Sequence, residues 1–187
     1  MAAFQSPVFI LPGLGNSEET HWQSLWEKEH QFTRILQTDW NTPVCDDWLS
    51  TINEVLTVSA EDLSEVILVA HSLACTTIAA WARRYHHIIK AALLVAPSDT
   101  ESPAYPSGTT GFIPMTLYPL PFRSIVVASS NDPFVSLERA QHFARCWESE
   151  WVNIGQAGHI NVASGFGPWP FGLQLLEALD KGTSIHR

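Results

Sequence analysis

Ser72, Asp132 and His159 offer a hydroxyl, a carboxylate and an imidazole. Acyl transfer by a serine needs those three groups: a nucleophile, a base to take its proton, and an acid residue to fix the base's tautomer. Each stands just past a short apolar run rich in β-branched residues. Ser72 lies in Val66-Ile67-Leu68-Val69-Ala70-His71-Ser72-Leu73-Ala74. Asp132 lies in Ser129-Ser130-Asn131-Asp132-Pro133, and His159 in Gly155-Gln156-Ala157-Gly158-His159-Ile160-Asn161.

The segment around Ser72 passes from a strand pattern directly into a helix pattern. That is the setting of a nucleophile elbow, whose usual form is G-x-S-x-G, with small residues where strand and helix crowd. Here the small neighbours are Ala70 and Ala74, each a methyl larger than glycine. Taken alone, a serine between strand and helix reads equally well as an N-cap. Asp132 before Pro133 reads alone as a turn residue, and His159 is one of eight histidines. Together they follow the α/β-hydrolase chain order Ser, Asp, His. Each also falls at a strand's C-terminal end, where open α/β sheets place their ligand crevice.

The turn after the first strand, Leu11-Pro12-Gly13-Leu14-Gly15-Asn16-Ser17, is rich in glycine. If the third strand lies beside the first, the amides of Leu14 and Leu73 face each other as an oxyanion hole. The competing reading is a dinucleotide turn. It lacks the third glycine of G-x-G-x-x-G, because Glu18 stands there, and Glu18-Glu19 puts negative charge where a pyrophosphate would bind. His71 is expected to pack under the neighbouring turn, Cys75 to fill core space, and His86-His87 to end a helix. Trp40, Trp48 and Trp169 could line a pocket, but core is their expected place.

The elements that must hold these groups are legible as well. Strands are expected at 8–11, weakly at 34–37, and at 66–70, 91–95, 125–128 and 151–154, with helical stripes between them. The stripes are Trp22, Leu25, Trp26; Leu49, Ile52, Leu56; Ile78, Trp81, Ala82, Tyr85; Leu137, Ala140, Ala144, Trp147; and Phe171, Leu175, Leu179. Near-continuous apolar strands alternating with helices predict an α/β fold: a three-layer α/β/α sandwich around a mostly parallel sheet of about six strands. Residues 1–187 are expected to form one domain. The stretch 97–121, with six prolines, is either a surface connection or a pocket wall.

Ten Lys and Arg stand against 19 Asp and Glu, a formal charge of −9 without a basic cluster, which argues against nucleic acid as a partner. No apolar run approaches the ~20 residues that span a bilayer. The first strand is not preceded by the charge and apolar stretch of a signal peptide. Three cysteines without a CxxC pattern suit a reducing compartment and give no zinc framework. A cytoplasmic location is expected.

With these motifs in hand, the chain resembles the small serine hydrolases of the YdeN and retinoblastoma-binding-protein-nine type. The resemblance rests on Leu11-Pro12-Gly13-Leu14-Gly15-Asn16-Ser17 with His21-Trp22, on Val69-Ala70-His71-Ser72-Leu73, and on Ser130-Asn131-Asp132-Pro133. Gly158-His159-Ile160-Asn161 and the tail Ser164-Gly165-Phe166-Gly167-Pro168-Trp169-Pro170 belong to it too, so it runs from about Val8 to Leu179. It implies an α/β-hydrolase fold without a large cap domain, with Ser72, Asp132 and His159 as catalytic triad. Ala74 departs from the family's usual glycine and could narrow the oxyanion hole. The expected activity is cleavage of a small carboxylic ester, thioester or amide through an acyl-enzyme, with no metal or organic cofactor. The alternative is a protein-interaction module that keeps the hydrolase shell; no partner-binding motif is visible in the sequence.

Overall fold

Apolar runs only four to six residues long are too short for helices and become strands once both their faces are covered. In the computed structural model, which describes residues 4–184, four such runs and two less apolar edge strands form one six-stranded sheet. They are β1 (Val8–Leu11), β2 (Thr33–Arg34), β3 (Ile67–His71), β4 (Ala91–Val95), β5 (Arg123–Ala128) and β6 (Glu150–Asn153). The sheet order is β2-β1-β3-β4-β5-β6, and every pairing is parallel. The chain first steps outward from β1 to β2, then returns to β3 on β1's other side. The topological switch point therefore lies between β1 and β3, where such sheets open a crevice at the strands' C-terminal ends.

Five helices cover the sheet: α1 (Trp22–His30), α2 (Cys45–Ser59), α3 (Leu73–Tyr85), α4 (Leu137–Cys146) and α5 (Pro170–Asp180). Strand side chains alternate between two cores, as the strand period of two requires. Phe9, Leu68, Ala92 and Val126 pack with α2, α3 and α4 through Trp48, Trp81 and Phe143. Val8, Ile67, Leu93 and Ile125 pack with α1 and α5 through Trp22, Trp26 and Leu176. The three-layer α/β/α sandwich is thus present, and its sheet is wholly parallel. Among the described residues no helix is long and apolar enough to cross a membrane.

β3, β5 and β6 move by one or two residues from the expected 66–70, 125–128 and 151–154, and two elements differ more. β2 occupies Thr33–Arg34 instead of 34–37. It is an edge strand whose last ladder bond, from Ile35 N–H to Ile10 O, is 2.9 Å, and beyond it Leu36 is 68% exposed. The α5 stripe includes Leu175 and Leu179 but leaves Phe171 exposed, because Gly172 takes the inner position. The Trp169 ring lies across that glycine, where a β-carbon would collide with it. A glycine at an inner position is invisible to a hydrophobic pattern.

Residues 96–122 connect β4 to β5 with no helix or strand beyond an isolated bridge of Thr110 to Val44. Phe112 and Met115 from this stretch are buried in the core with α2, while Tyr118 is exposed beneath the Arg83 guanidinium. Among the described residues there is no separate cap domain.

Candidate active site

β3 delivers its last residues to the switch point. His71 pairs with Val95 of β4, and the Ser72 N–H donates to the Val95 carbonyl at 3.0 Å. Ser72 then turns the chain into α3 with φ 59° and ψ −124°. A left-handed φ on a residue with a β-carbon is strained, and such strain persists only where surrounding contacts enforce it. Ser72 precedes α3 but makes no side-chain capping bond. Its hydroxyl lies instead 2.9 Å from His159 Nε2 and 2.8 Å from Ser98 Oγ. That orientation separates the N-cap reading from the elbow reading, in favour of the elbow.

Ala70 and Ala74 are buried in the core cluster on the α2–α3 side of the sheet. Ala74 packs into that core and is not among the residues lining the cavity over Ser72.

The carboxylate and the imidazole arrive on two loops that are tied together. Asp132 follows β5, and its carboxylate accepts from the Phe134 N–H at 2.9 Å. His159 follows β6, and its Nδ1 donates to the Asp132 oxygens at 2.8 and 3.0 Å. Ser129 Oγ accepts from the Ala157 N–H at 2.9 Å, and Asn131 Oδ1 from the Gly158 N–H at 2.7 Å. Ser164 Oγ accepts from the His159 N–H at 3.0 Å. The Asp132 side chain is fully shielded from solvent, and the His159 side chain is 7% exposed. The three side chains named from sequence thus meet in one hydrogen-bonded line, Ser72–His159–Asp132.

His71 occupies the space beneath that line. Burial, reinforced by the charges His159 and His21 could carry, holds its pKa well below the ordinary histidine value, so it is neutral. Its Nε2 then carries the proton that bonds the His159 carbonyl at 2.9 Å. His21, edge-on to His71 with ring centroids 5.0 Å apart, is held down to about 4, first by burial, then by Arg34 and His159. Its Nδ1 accepts the Gln23 N–H and so caps α1.

The glycine-rich turn after β1 lies against the elbow. Its backbone bonds use the Gly15 N–H, to Trp40 O, and the Asn16 N–H, to Gly13 O, rather than the Leu14 N–H. Leu14 lines the cavity beside Ser72. That cavity, about 460 Å³, is lined by Leu14, His21, Ser98, Tyr105 and Phe134 among others. The stretch 97–121 is therefore a pocket wall through Ser98, Tyr105 and Pro106. Trp48 and Trp169 are core residues, Trp40 packs partly against the core, and none lines the cavity. Cys45, Cys75 and Cys146 are free, with Cys45 and Cys75 buried. Among the described residues no group of three or more His, Cys, Asp or Glu side chains converges as a metal site.

Sequence reasoning missed Ser98, Gln23 and Asn131. Gln23 is fully buried and donates to the carbonyls of Leu11 and Val69, bridging β1 and β3 below the switch point. Its place beside His21-Trp22 was the available signal, since a glutamine on the buried face of a helix needs partners. Ser98, in a proline-rich stretch, carried none.

Residues 8–178 match the model of a protein family described as serine hydrolase. A YdeN-like hydrolase from Pectobacterium atrosepticum is 34% identical, over 93% of this chain and 90% of that one, with a TM-score of 0.80. The ydeN gene product of Bacillus subtilis is 18% identical over 93% and 98% of the two chains, at a TM-score of 0.73. Carboxylesterase CesB of Bacillus subtilis is 11% identical over 96% and 85%, at 0.66. At those lower identities the last two speak for the fold alone. No curated protein matches the chain. The match to the family over most of the chain, together with the identity to the Pectobacterium protein, makes this chain a hydrolase of the serine hydrolase family, of YdeN type.

Proposed function

We propose that the chain cleaves a small carboxylic ester by two-step acyl transfer, with Ser72 as nucleophile, His159 as general base and Asp132 as the group that orients it. The observation that carries this reading is the Ser72 hydroxyl, held in a strained backbone turn and aimed at His159 Nε2 at 2.9 Å. His159 Nε2 takes the proton as Ser72 Oγ bonds to the substrate carbonyl carbon. Asp132 keeps the other ring proton on Nδ1 and stabilises the imidazolium. The carbonyl's electron pair moves onto its oxygen, which the Leu14 and Leu73 amides receive; each such donor is worth about 3–4 kcal/mol in the transition state. The imidazolium returns its proton to the leaving alcohol. A water activated by His159 then attacks the acyl-enzyme, and Ser72 leaves with the proton restored.

A cavity of about 460 Å³ sits at the smaller end of ligand sites and suits a short acyl group. Thioesters and amides present the same carbonyl and are the other substrate classes. On this reading residues 1–187 work as one α/β-hydrolase domain on a small-molecule substrate. Three free cysteines support a cytoplasmic setting.

A series of p-nitrophenyl esters of increasing acyl length tests the reading. Turnover of the acetate and butyrate, falling off with longer chains, is expected. Folded protein inert toward every ester, thioester and amide would overturn it in favour of an interaction module that keeps the hydrolase shell.

A further inference from the structure

Ser98 follows β4 and is 1% exposed. Its hydroxyl lies 2.8 Å from Ser72 Oγ, and among the described residues Ser98 Oγ has no other hydrogen-bond partner. The direction of that bond follows from the proton count. Asp132 accepts the Nδ1 proton of His159, so the neutral ring presents a bare Nε2. The single Ser72 proton points there, at 2.9 Å. Ser72 Oγ is then an acceptor toward Ser98, and Ser98 is the donor.

The backbone around Ser98 is pinned on its far side. The Asp99 N–H donates to the Phe134 carbonyl at 3.0 Å. The Asp99 carboxylate is gripped by Arg139 through two bonds of 2.8 and 3.0 Å. The Ser98 carbonyl also accepts from Thr76 Oγ1 of α3, at 3.5 Å. The hydroxyl is therefore held in place before substrate arrives, as a preorganised donor must be.

We propose that Ser98 is a fourth working member of the site, a fixed hydroxyl donor to the nucleophilic oxygen of Ser72. This rests on the serine-nucleophile reading above. As the Ser72 proton passes to His159, its oxygen gains alkoxide character, until the bond to the carbonyl carbon is complete and the charge has moved to the carbonyl oxygen. A hydrogen bond to a charged oxygen is stronger than one to a neutral hydroxyl, so the Ser98 donor favours that state over the resting one. The Ser98 proton stays on Ser98 throughout. When the acyl-enzyme breaks down, the same donor stabilises Ser72 Oγ as the departing oxygen, until the His159 proton returns to it.

The test compares wild type, Ser98→Ala, Ser98→Thr and Ser72→Ala for ester kcat and KM, fluorophosphonate labelling rate and Tm. Ser98→Ala is expected to lower kcat and the labelling rate about tenfold, with KM within about twofold and Tm nearly unchanged. Ser98→Thr keeps the hydroxyl and is expected to return both rates to within about threefold of wild type. Wild-type rates in Ser98→Ala, beside an inert Ser72→Ala, would overturn the inference and leave the triad standing. A raised KM or lowered Tm with kcat retained would also overturn it, since the hydroxyl would then only pack the connection. A wild-type protein that neither labels nor turns over an ester would remove the nucleophile reading, and Ser98's role with it.

Discussion

A β-carbon on Gly13 would stand 2.7 Å from Ser72 Cβ and 2.8 Å from the His71 carbonyl oxygen. The turn after β1 and the elbow after β3 are thus in backbone contact across the switch point, and only a residue without a side chain fits between them. The same β-carbon would stand 3.3 Å from the Leu73 nitrogen, one of the two proposed oxyanion donors. Close approach, not a left-handed φ, is what requires glycine here; Gly13 is not among the residues with positive φ.

Gly13→Ala must therefore displace either the turn or the elbow. Misplacing reacting groups by about 1 Å costs on the order of 100-fold in rate, and overpacking costs about 1–3 kcal/mol in stability. We expect ester kcat/KM to fall about 100-fold and Tm to drop by several degrees. Calorimetry and steady-state kinetics on the variant check this; wild-type kinetics would mean the turn is not in contact with the elbow.

Asp132→Asn keeps the acceptor for the Phe134 N–H but cannot hold the His159 proton on Nδ1 as a carboxylate does. With the wrong tautomer favoured, kcat is expected to fall on the order of 10⁴-fold while the fold is retained. A variant within tenfold of wild type would show that Asp132 does not orient the base.

His21 and His71 make stability depend on pH. Both are held neutral by burial, His21 down to about 4 and His71 well below its ordinary value. The unfolded chain binds their protons as pH falls below about 6.5 and the folded chain does not. Stability is fully present above that value and is lost as pH falls toward 4, by up to about 1.4 kcal/mol per pH unit for each histidine. His21→Asn keeps a side chain that can cap α1 but does not titrate. Urea unfolding between pH 7 and 4 should show a shallower pH dependence in this variant; an unchanged slope would contradict the account.

The sequence was informative where chemistry and strand ends coincide. Ser72, Asp132 and His159 each follow an apolar run, so parallel pairing alone carries them to one edge of the sheet. β1, β3, β4 and β5 were legible because each carries a continuous apolar run buried on both faces, at 8–11, 67–70, 91–95 and 125–128. β2 was displaced because an edge strand needs little apolar content, and α5 was rotated because Gly172 leaves no mark in a hydrophobic pattern. Ser98 was hidden for a different reason. Its place beside Ser72 comes from tertiary contacts, the Asp99–Arg139 pair among them, that join residues 40 positions apart.

Everything proposed for the site depends on Ser72 being an activated nucleophile. Treating the folded protein with a fluorophosphonate, beside Ser72→Ala, and locating the adduct by mass spectrometry tests it most directly. A single adduct is expected on the peptide carrying Ser72, formed at neutral pH and absent from the variant. Unlabelled, folded wild-type protein across the neutral range, or an adduct that survives Ser72→Ala, would contradict it.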